Sequence, residues 1–351
     1  MEAAIIDGVD GVVVFGYAIE FLYITMLFIV IDENEKRKTS MEQKKIKGII
    51  PIMQAAFTED GVAVDYEDMA HMSDATIRDG AGGIVLFGFG TEFYKLSDDE
   101  KTEMVSVCVK AVSGRVPVIA NITAGSTEVA VKTAQLYESL GVDAIMILSP
   151  SIVAPSTRQL IEHILSIGNS VNLLSIIQYA PTMGGGALTP DAVKEICEKS
   201  RNNVYIKAEP IPTAPFIDGI RKLVGNKIGL FSGNMGLHMI DLMDRGVIGF
   251  MPGCSLVPIY NEAYKAYMID NDRKRAEEIF NAMIPIIMII NQNVEILVKY
   301  EKMLLVKRGI IKNSYCRKPT AFDMDQKFWD MFFEYRERLR DITFVGDDYS
   351  W

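Results

Sequence analysis

Residues 140–148 read LGVDAIMIL and residues 245–253 read RGVIGFMPG. In both, a glycine ends a helical stretch and an apolar run begins at once, the turn by which a crossover helix feeds the next parallel strand. From Lys47 onward the same grammar repeats, with short runs of Ile, Val and Leu alternating with amphipathic stretches of helical length. The expected strands are 48–53, 82–88, 116–122, 143–149, 172–179, 204–209, 228–234 and 248–253. Each is followed by a helical stretch. Eight such units in roughly 220 residues match a closed (β/α)8 TIM barrel, over 46–269, better than an open doubly wound sheet. No GxGxxG opens a helix after the first strand.

After Ile269 the pattern changes to long apolar helices, ending in KFWDMFFEYRERLRDI from Lys327. They are too apolar to stand free, so a C-terminal helical domain over 270–345 is expected to pack on the barrel, its spare apolar surface available for oligomerisation.

The first 40 residues, an apolar N-terminal extension, stand apart. Gly11 to Ile31 is an apolar run of 21 residues broken by Glu20, and about 20 apolar residues suffice to span a bilayer. Three readings stay open. The run is a membrane anchor, with Lys36, Arg37 and Lys38 holding the barrel in the cytoplasm; or Met41 is the working start; or the run is a packed helix. Glu20 weighs against an anchor, since a charge at the centre of a lone span costs about 2.5–3.5 kcal/mol.

Composition narrows the function. With 46 acidic against 36 basic residues the net charge is −10, which repels phosphate backbones, and no basic stripe interleaved with aromatics is present; nucleic acid is not an expected partner. The four cysteines are scattered, which suits a reducing cytoplasm and suggests neither a disulfide framework nor a metal clamp. The three histidines have no second ligand at metal spacing, so no metal is expected. His71 and His163 fall on outer helices, where a surface histidine is the plain reading.

A barrel of this kind works at the C-terminal ends of its strands. The candidates there are Gly88, Gly90, Thr91 and Glu92 after strand two, Asn121 after three, Gln178 and Tyr179 on five, Lys207 and Glu209 on six, Asn234 after seven and Gly253 after eight. Lys207 interrupts the apolar strand VYIKAE, where loss of hydration favours the neutral, nucleophilic amine that imine formation needs. Glu209, two residues on, shares its face. A plain Lys207–Glu209 ion pair filling the barrel mouth is the competing reading. The loop GFGTEF, Gly88 to Phe93, offers backbone N–H groups to a carboxylate, or is an ordinary strand-to-helix turn with a solvated Glu92.

With IKAEPIPT around Lys207, AGSTEVAVKTAQLYESLGVDAIMILSP through strand four, FSGNMG after seven and RGVIGFMPG at eight, residues 45–340 resemble the dihydrodipicolinate synthase and N-acetylneuraminate lyase family. The resemblance implies a class I aldolase barrel, often tetrameric, in which Lys207 forms a Schiff base with a small 2-oxo acid and no cofactor is needed. It also implies departures. The family's Gly-Thr-Thr-Gly-Glu loop, whose hydroxyl pair binds the substrate carboxylate, has Phe89 and Gly90 in place of that pair. The tyrosine of Tyr-Asn-x-Pro on strand five is Gln178, with Tyr179 one step later and therefore on the opposite face unless a bulge re-aims it. Pro-Tyr-Tyr after strand four is Pro150-Ser151-Ile152, and the arginine of lysine-pathway members is Met183.

The chain therefore reads as a divergent branch lacking the usual proton relay, and synthesis of the lysine precursor is not expected of it. The expected activity is a lysine-dependent lyase, aldolase or hydro-lyase, acting on pyruvate or a 2-keto-3-deoxy sugar acid. Lys207 forms the imine, Glu209 or Tyr179 moves the proton, Gly90 and Thr91 hold the carboxylate, and Gln178 orients substrate. A barrel that has lost catalysis and serves as a ligand-binding or regulatory protein is the alternative. The expected setting is a cytoplasmic homo-oligomer, dimer or tetramer, membrane-tethered only if the N-terminal run is an anchor.

Overall fold

The order of elements in this computed structural model, which describes residues 46–341, is β1 (Gly48–Ile49), α1 (Tyr66–Arg78), β2 (Ile84–Leu86), α2 (Asp98–Val112), β3 (Val118–Ile122), α3 (Thr127–Leu140), β4 (Ala144–Leu148), α4 (Thr157–Gly168), β5 (Leu174–Tyr179), α5 (Pro190–Lys199), β6 (Val204–Ala208), α6 (Ala214–Val224), β7 (Leu230–Ser232), α7 (Met239–Asp244), β8 (Gly249–Phe250) and α8 (Val257–Met268). Three further helices follow, α9 (Arg273–Ile290), α10 (Val294–Lys307) and α11 (Gln326–Arg338). The N-terminal extension, residues 1–40, and the last residues of the expected C-terminal domain, 342–345, lie outside the described residues.

All eight expected strands form, every neighbouring pair is parallel, and the ladder runs from β2 round to β8 and β1. Hydrogen bonds then close the ring between the β1 segment and β2: Gly82 N donates to Ile49 O at 2.8 Å, Val85 N to Pro51 O at 2.9 Å and Met53 N to Val85 O at 2.9 Å. β1 and β8 are shorter than expected because Pro51 and Pro252 bring no N–H to the ladder. Pairing resumes across them, since Ile52 bridges both Val85 and Gly253.

The glycine device of the two quoted segments has a visible cause. Gly141 closes α3 at φ 93° and Gly246 closes α7 at φ 82°, a left-handed conformation that costs glycine little. Val142 N then bonds Tyr137 O and Val247 N bonds Leu242 O, the six-to-one bond that ends a helix and points the chain into the next strand. Gly309, at φ 66°, ends α10 in the same way, with Ile310 N on Leu305 O.

Two apolar cores result. One fills the barrel with inward residues such as Ile50, Val85, Ile119, Met146, Ile176 and Phe231, and the other lies between the sheet and the helices. The C-terminal helices and the barrel form one compact unit from Ile46. α9 and α10 meet at 119°, and no single described helix is long and apolar enough to cross a membrane. His163, expected at the surface, is buried on α4 with Nδ1 2.9 Å from the Thr127 hydroxyl, and burial lowers its basicity. Its side chain points across to α3 rather than to solvent.

Candidate active site

β5 and β6 set the centre of the site. Their register pairs Gln178 with Lys207 and Tyr179 with Ala208 without interruption. Alternation along the strands therefore turns Gln178 and Lys207 into the barrel together. Lys207 is 3% exposed and Glu209 8%, and Lys207 Nζ lies 3.5 Å from Glu209 Oε1. Gln178 Nε2 donates to the other carboxylate oxygen of Glu209 at 2.7 Å. Asn234 completes the clamp, its backbone N donating to Glu209 Oε1 and its Nδ2 to Glu209 O, both at 3.3 Å. The glycine of FSGN is required here, because a Cβ on Gly233 would stand 1.8 Å from Glu209 Oε1.

Above this centre opens a cavity of about 420 Å³ whose wall includes Lys207, Glu209, Gly90, Asn234 and Gly253. Met183, Thr182 and the turn Asn291–Asn293 between α9 and α10 also line it. The C-terminal helices are thus part of the site. The sequence held a signal for this turn, three carboxamides interrupting the apolar run IIMIINQNVEIL, but nothing in the spacing placed it over the barrel mouth. Gln54, five residues past β1, was likewise missed. It is fully buried, its Nε2 stands 3.3 Å from where a Gly90 Cβ would be, and neither amide atom has a hydrogen-bond partner among the described residues.

Several expected site residues are placed elsewhere. The Tyr179 ring lies 5.0 Å from Phe216 of α6 and packs in the core between sheet and helices, away from the Lys207 cavity, because no bulge re-aims it. Thr91 is buried, and its hydroxyl donates to Met53 O at 2.6 Å. Its N–H closes a turn on Gly88 O, so neither donor faces the cavity. Gly88 does not line it either, being a packing glycine whose Cβ would meet Ile52 at 2.7 Å. Asn121 spends its amide N–H on Phe87 O at 2.9 Å, with Oδ1 buried and unbonded among the described residues. Glu92 is not solvated and does not line the cavity. It is sealed in an ion pair with Lys302 of α10 at 2.5 Å and faces Lys95 at 3.4 Å.

Behind Gly253 stands Glu301 of α10, so close that a Cβ at 253 would be 2.2 Å from its carboxyl carbon. Ser255 N donates to Glu301 Oε2 at 2.8 Å, but burial wins and pushes the carboxyl up to about 7. Since the unfolded value is near 4.5, the folded state holds this proton more tightly. Stability is then highest below about pH 4.5 as far as this group is concerned, and falls as pH rises to about 7, by a few kcal/mol. Glu301→Gln is expected to abolish this slope and to be the more stable protein at pH 8 in urea unfolding. An unchanged difference between pH 5 and pH 8 would rule Glu301 out as its source.

Among the described residues no cluster of three His, Cys, Asp or Glu side chains could hold a metal ion. What the arrangement offers is one buried amine beside one buried carboxylate, under a cavity walled by amides and apolar groups.

A model of the dihydrodipicolinate synthetase family matches residues 45–328. The chain belongs to this family. Its membership carries the barrel with C-terminal helices and the general class, a lyase acting on a small 2-oxo acid. The 4-hydroxy-tetrahydrodipicolinate synthase of Methanococcus aeolicus is 28% identical over 245 residues, 68% of this chain and 82% of that protein. The probable 2-dehydro-3-deoxy-D-pentonate aldolase YjhH of Escherichia coli K12 is 33% identical over 164 residues, 47% of this chain and 54% of that protein, so the match spans about half of that relative. Among solved structures, the family's prophage protein YagE from Escherichia coli K12, in complex with pyruvate, superposes with a TM-score of 0.77 at 22% identity, covering 84% of this chain and 99% of that one. That likeness is one of fold.

Against the family pattern, the two substitutions that matter most are now spatial facts. Gln178 occupies the inward position on β5 and is bonded to Glu209, and Met183 lines the cavity.

Proposed function

We propose that this family member is a lysine-dependent class I aldolase or dehydratase that binds pyruvate, or the 2-oxo end of a 2-keto-3-deoxy sugar acid, as an imine on Lys207. The observation that carries the reading is the pairing of Lys207 Nζ with Glu209 Oε1 at 3.5 Å on the wall of the cavity. Transfer of one proton from the ammonium to the carboxylate leaves a neutral amine that attacks the ketone carbon. The alkoxide formed takes the proton from Glu209; the nitrogen, cationic after attack, then gives a second proton to Glu209, which passes it to the hydroxyl, so that water leaves and the iminium remains. In aldol cleavage the C4 hydroxyl gives its proton to Glu209, the C3–C4 bond breaks, and its electron pair enters the iminium to form an enamine. The aldehyde departs, C3 is protonated, and hydrolysis frees pyruvate. Gln178 and Asn234 keep Glu209 aimed at the amine.

In this reading Glu209 replaces the family tyrosine as proton carrier, and Tyr179 has no part. Glu209→Gln is then expected to lower kcat by about 10²- to 10⁴-fold with a small change in KM. A loss of kcat below about fivefold would reduce Glu209 to a structural clamp.

A barrel that binds 2-oxo acids without turning them over is the second reading, favoured by the outward Tyr179 and the committed Thr91 hydroxyl. The cytoplasmic setting and homo-oligomeric assembly expected from the sequence belong to the same proposal. The deciding experiment is borohydride reduction in the presence of pyruvate and a panel of other 2-oxo acids, read by intact-protein mass. A stable adduct that is absent from Lys207→Met supports the imine. Saturable binding with no adduct supports the binding protein, and an adduct that persists in Lys207→Met overturns the role of Lys207.

A further inference from the structure

Among the described residues the cavity wall carries no cation apart from Lys207, and its other charged residue is Glu209. A second carboxylate or a phosphate at the far end of a bound substrate would lie in the cavity without a counter-charge, which burial penalises heavily. Met183 presents only a thioether to that same space. About 420 Å³ is also far more room than a three-carbon acid needs, being within the range of pockets that hold drug-sized ligands. Such a wall suits a substrate whose part beyond the 2-oxo end is uncharged.

What it meets is the Asn291–Asn293 turn. Its three carboxamides are exposed where they line the cavity. Gln292 Nε2 is tied to Ile289 O at 3.0 Å, leaving its oxygen as an acceptor. Asn293 Oδ1 caps α10 by accepting from Glu295 N at 2.8 Å, leaving its NH2 as a donor. Among the described residues the Asn291 side chain makes no hydrogen bond, and it offers both. A hydroxyl donates once and accepts as well, so adjacent hydroxyls need such a mixed set of donors and acceptors. An arginine or lysine, having only donors, would not supply it.

We infer that the turn between α9 and α10, which begins at Asn291, is the specificity element of this site and reads the hydroxyls of the aldehyde-derived part of a 2-keto-3-deoxy sugar acid. The inference rests on the imine reading above and adds to it. The helices that close the barrel thereby also choose the substrate, and a carboxylate-bearing aldehyde is rejected for lack of a cation.

The test uses the full chain and needs no turnover. The concentration giving half-maximal borohydride-trapped adduct is measured for pyruvate and for 2-dehydro-3-deoxy-hexonate, in the native protein, Asn291→Leu and Asn291→Ser. Asn291→Leu is expected to raise the value for the hexonate about tenfold, as the loss of one or two hydrogen bonds would, and to leave that for pyruvate unchanged. Asn291→Ser, which keeps a donor and an acceptor, should recover part of the loss and guards against a folding defect. Equal shifts for both acids, or no shift for the hexonate, would overturn the role of the turn while the imine reading stands. Failure to trap either acid in the native protein would remove both.

Discussion

Lys302→Met is expected to destabilise the protein by about 3–5 kcal/mol, the usual result of removing one partner from a buried ion pair. Lys302 lies on α10 and Glu92 in the loop after β2; both are fully buried, with Nζ 2.5 Å from Glu92 Oε1. Lys302 also donates to Tyr315 O at 2.8 Å and sits 4.5 Å over the Phe57 ring. Methionine would keep most of the volume but leave the Glu92 carboxylate with Lys95 alone, at 3.4 Å. The cost is therefore an uncompensated buried charge rather than a cavity. Urea unfolding measures it directly. The double variant Lys302→Met, Glu92→Leu should recover much of the loss, since replacing a buried pair by apolar groups is often neutral. A single variant within about 1 kcal/mol of the native protein would mean that the pair is solvated.

Lys207→Met is expected to lower kcat by at least about 10⁴-fold, as removal of a covalent nucleophile commonly does. The effect should fall on kcat, because an amine that becomes bonded to the substrate has no equivalent among the other wall groups. Lys207→Arg should be equally inactive, since a guanidinium does not give up its proton to become a nucleophile. Neither change should unfold the protein, for Glu209 keeps its hydrogen bonds from Gln178 Nε2 and Asn234 N. Steady-state assay with whichever 2-oxo acid is trapped provides the measurement. Turnover within about tenfold of native in Lys207→Met would take the imine out of the mechanism.

Both predictions concern buried lysines, and they differ in how readable they were. Lys207 stood out in the sequence because a cation broke the apolar strand VYIKAE at the end where barrels work, and Glu209 followed from strand alternation alone. Lys302, in EKMLLVK, looked like any lysine on an amphipathic helix. Its partner is 210 residues away in sequence, and no local pattern reports a contact of that range.

The sequence by itself determined the alternation of eight strands and eight helices, the glycine stops at 141 and 246, and the lysine and carboxylate at the mouth. These are set by local periodicity and backbone conformation, which neighbouring residues dictate. It also held the rule that Tyr179 faces away unless a bulge intervenes. Only the tertiary structure decided that the bulge is absent, that Thr91 and Glu92 of GFGTEF are spent on the fold, and that Gln178 serves Glu209. It also brought the Asn291–Asn293 turn over Lys207. Each of these depends on which surfaces meet when the barrel closes and the last helices pack on it, and such meetings between distant segments are fixed by the whole core rather than by any one stretch of chain.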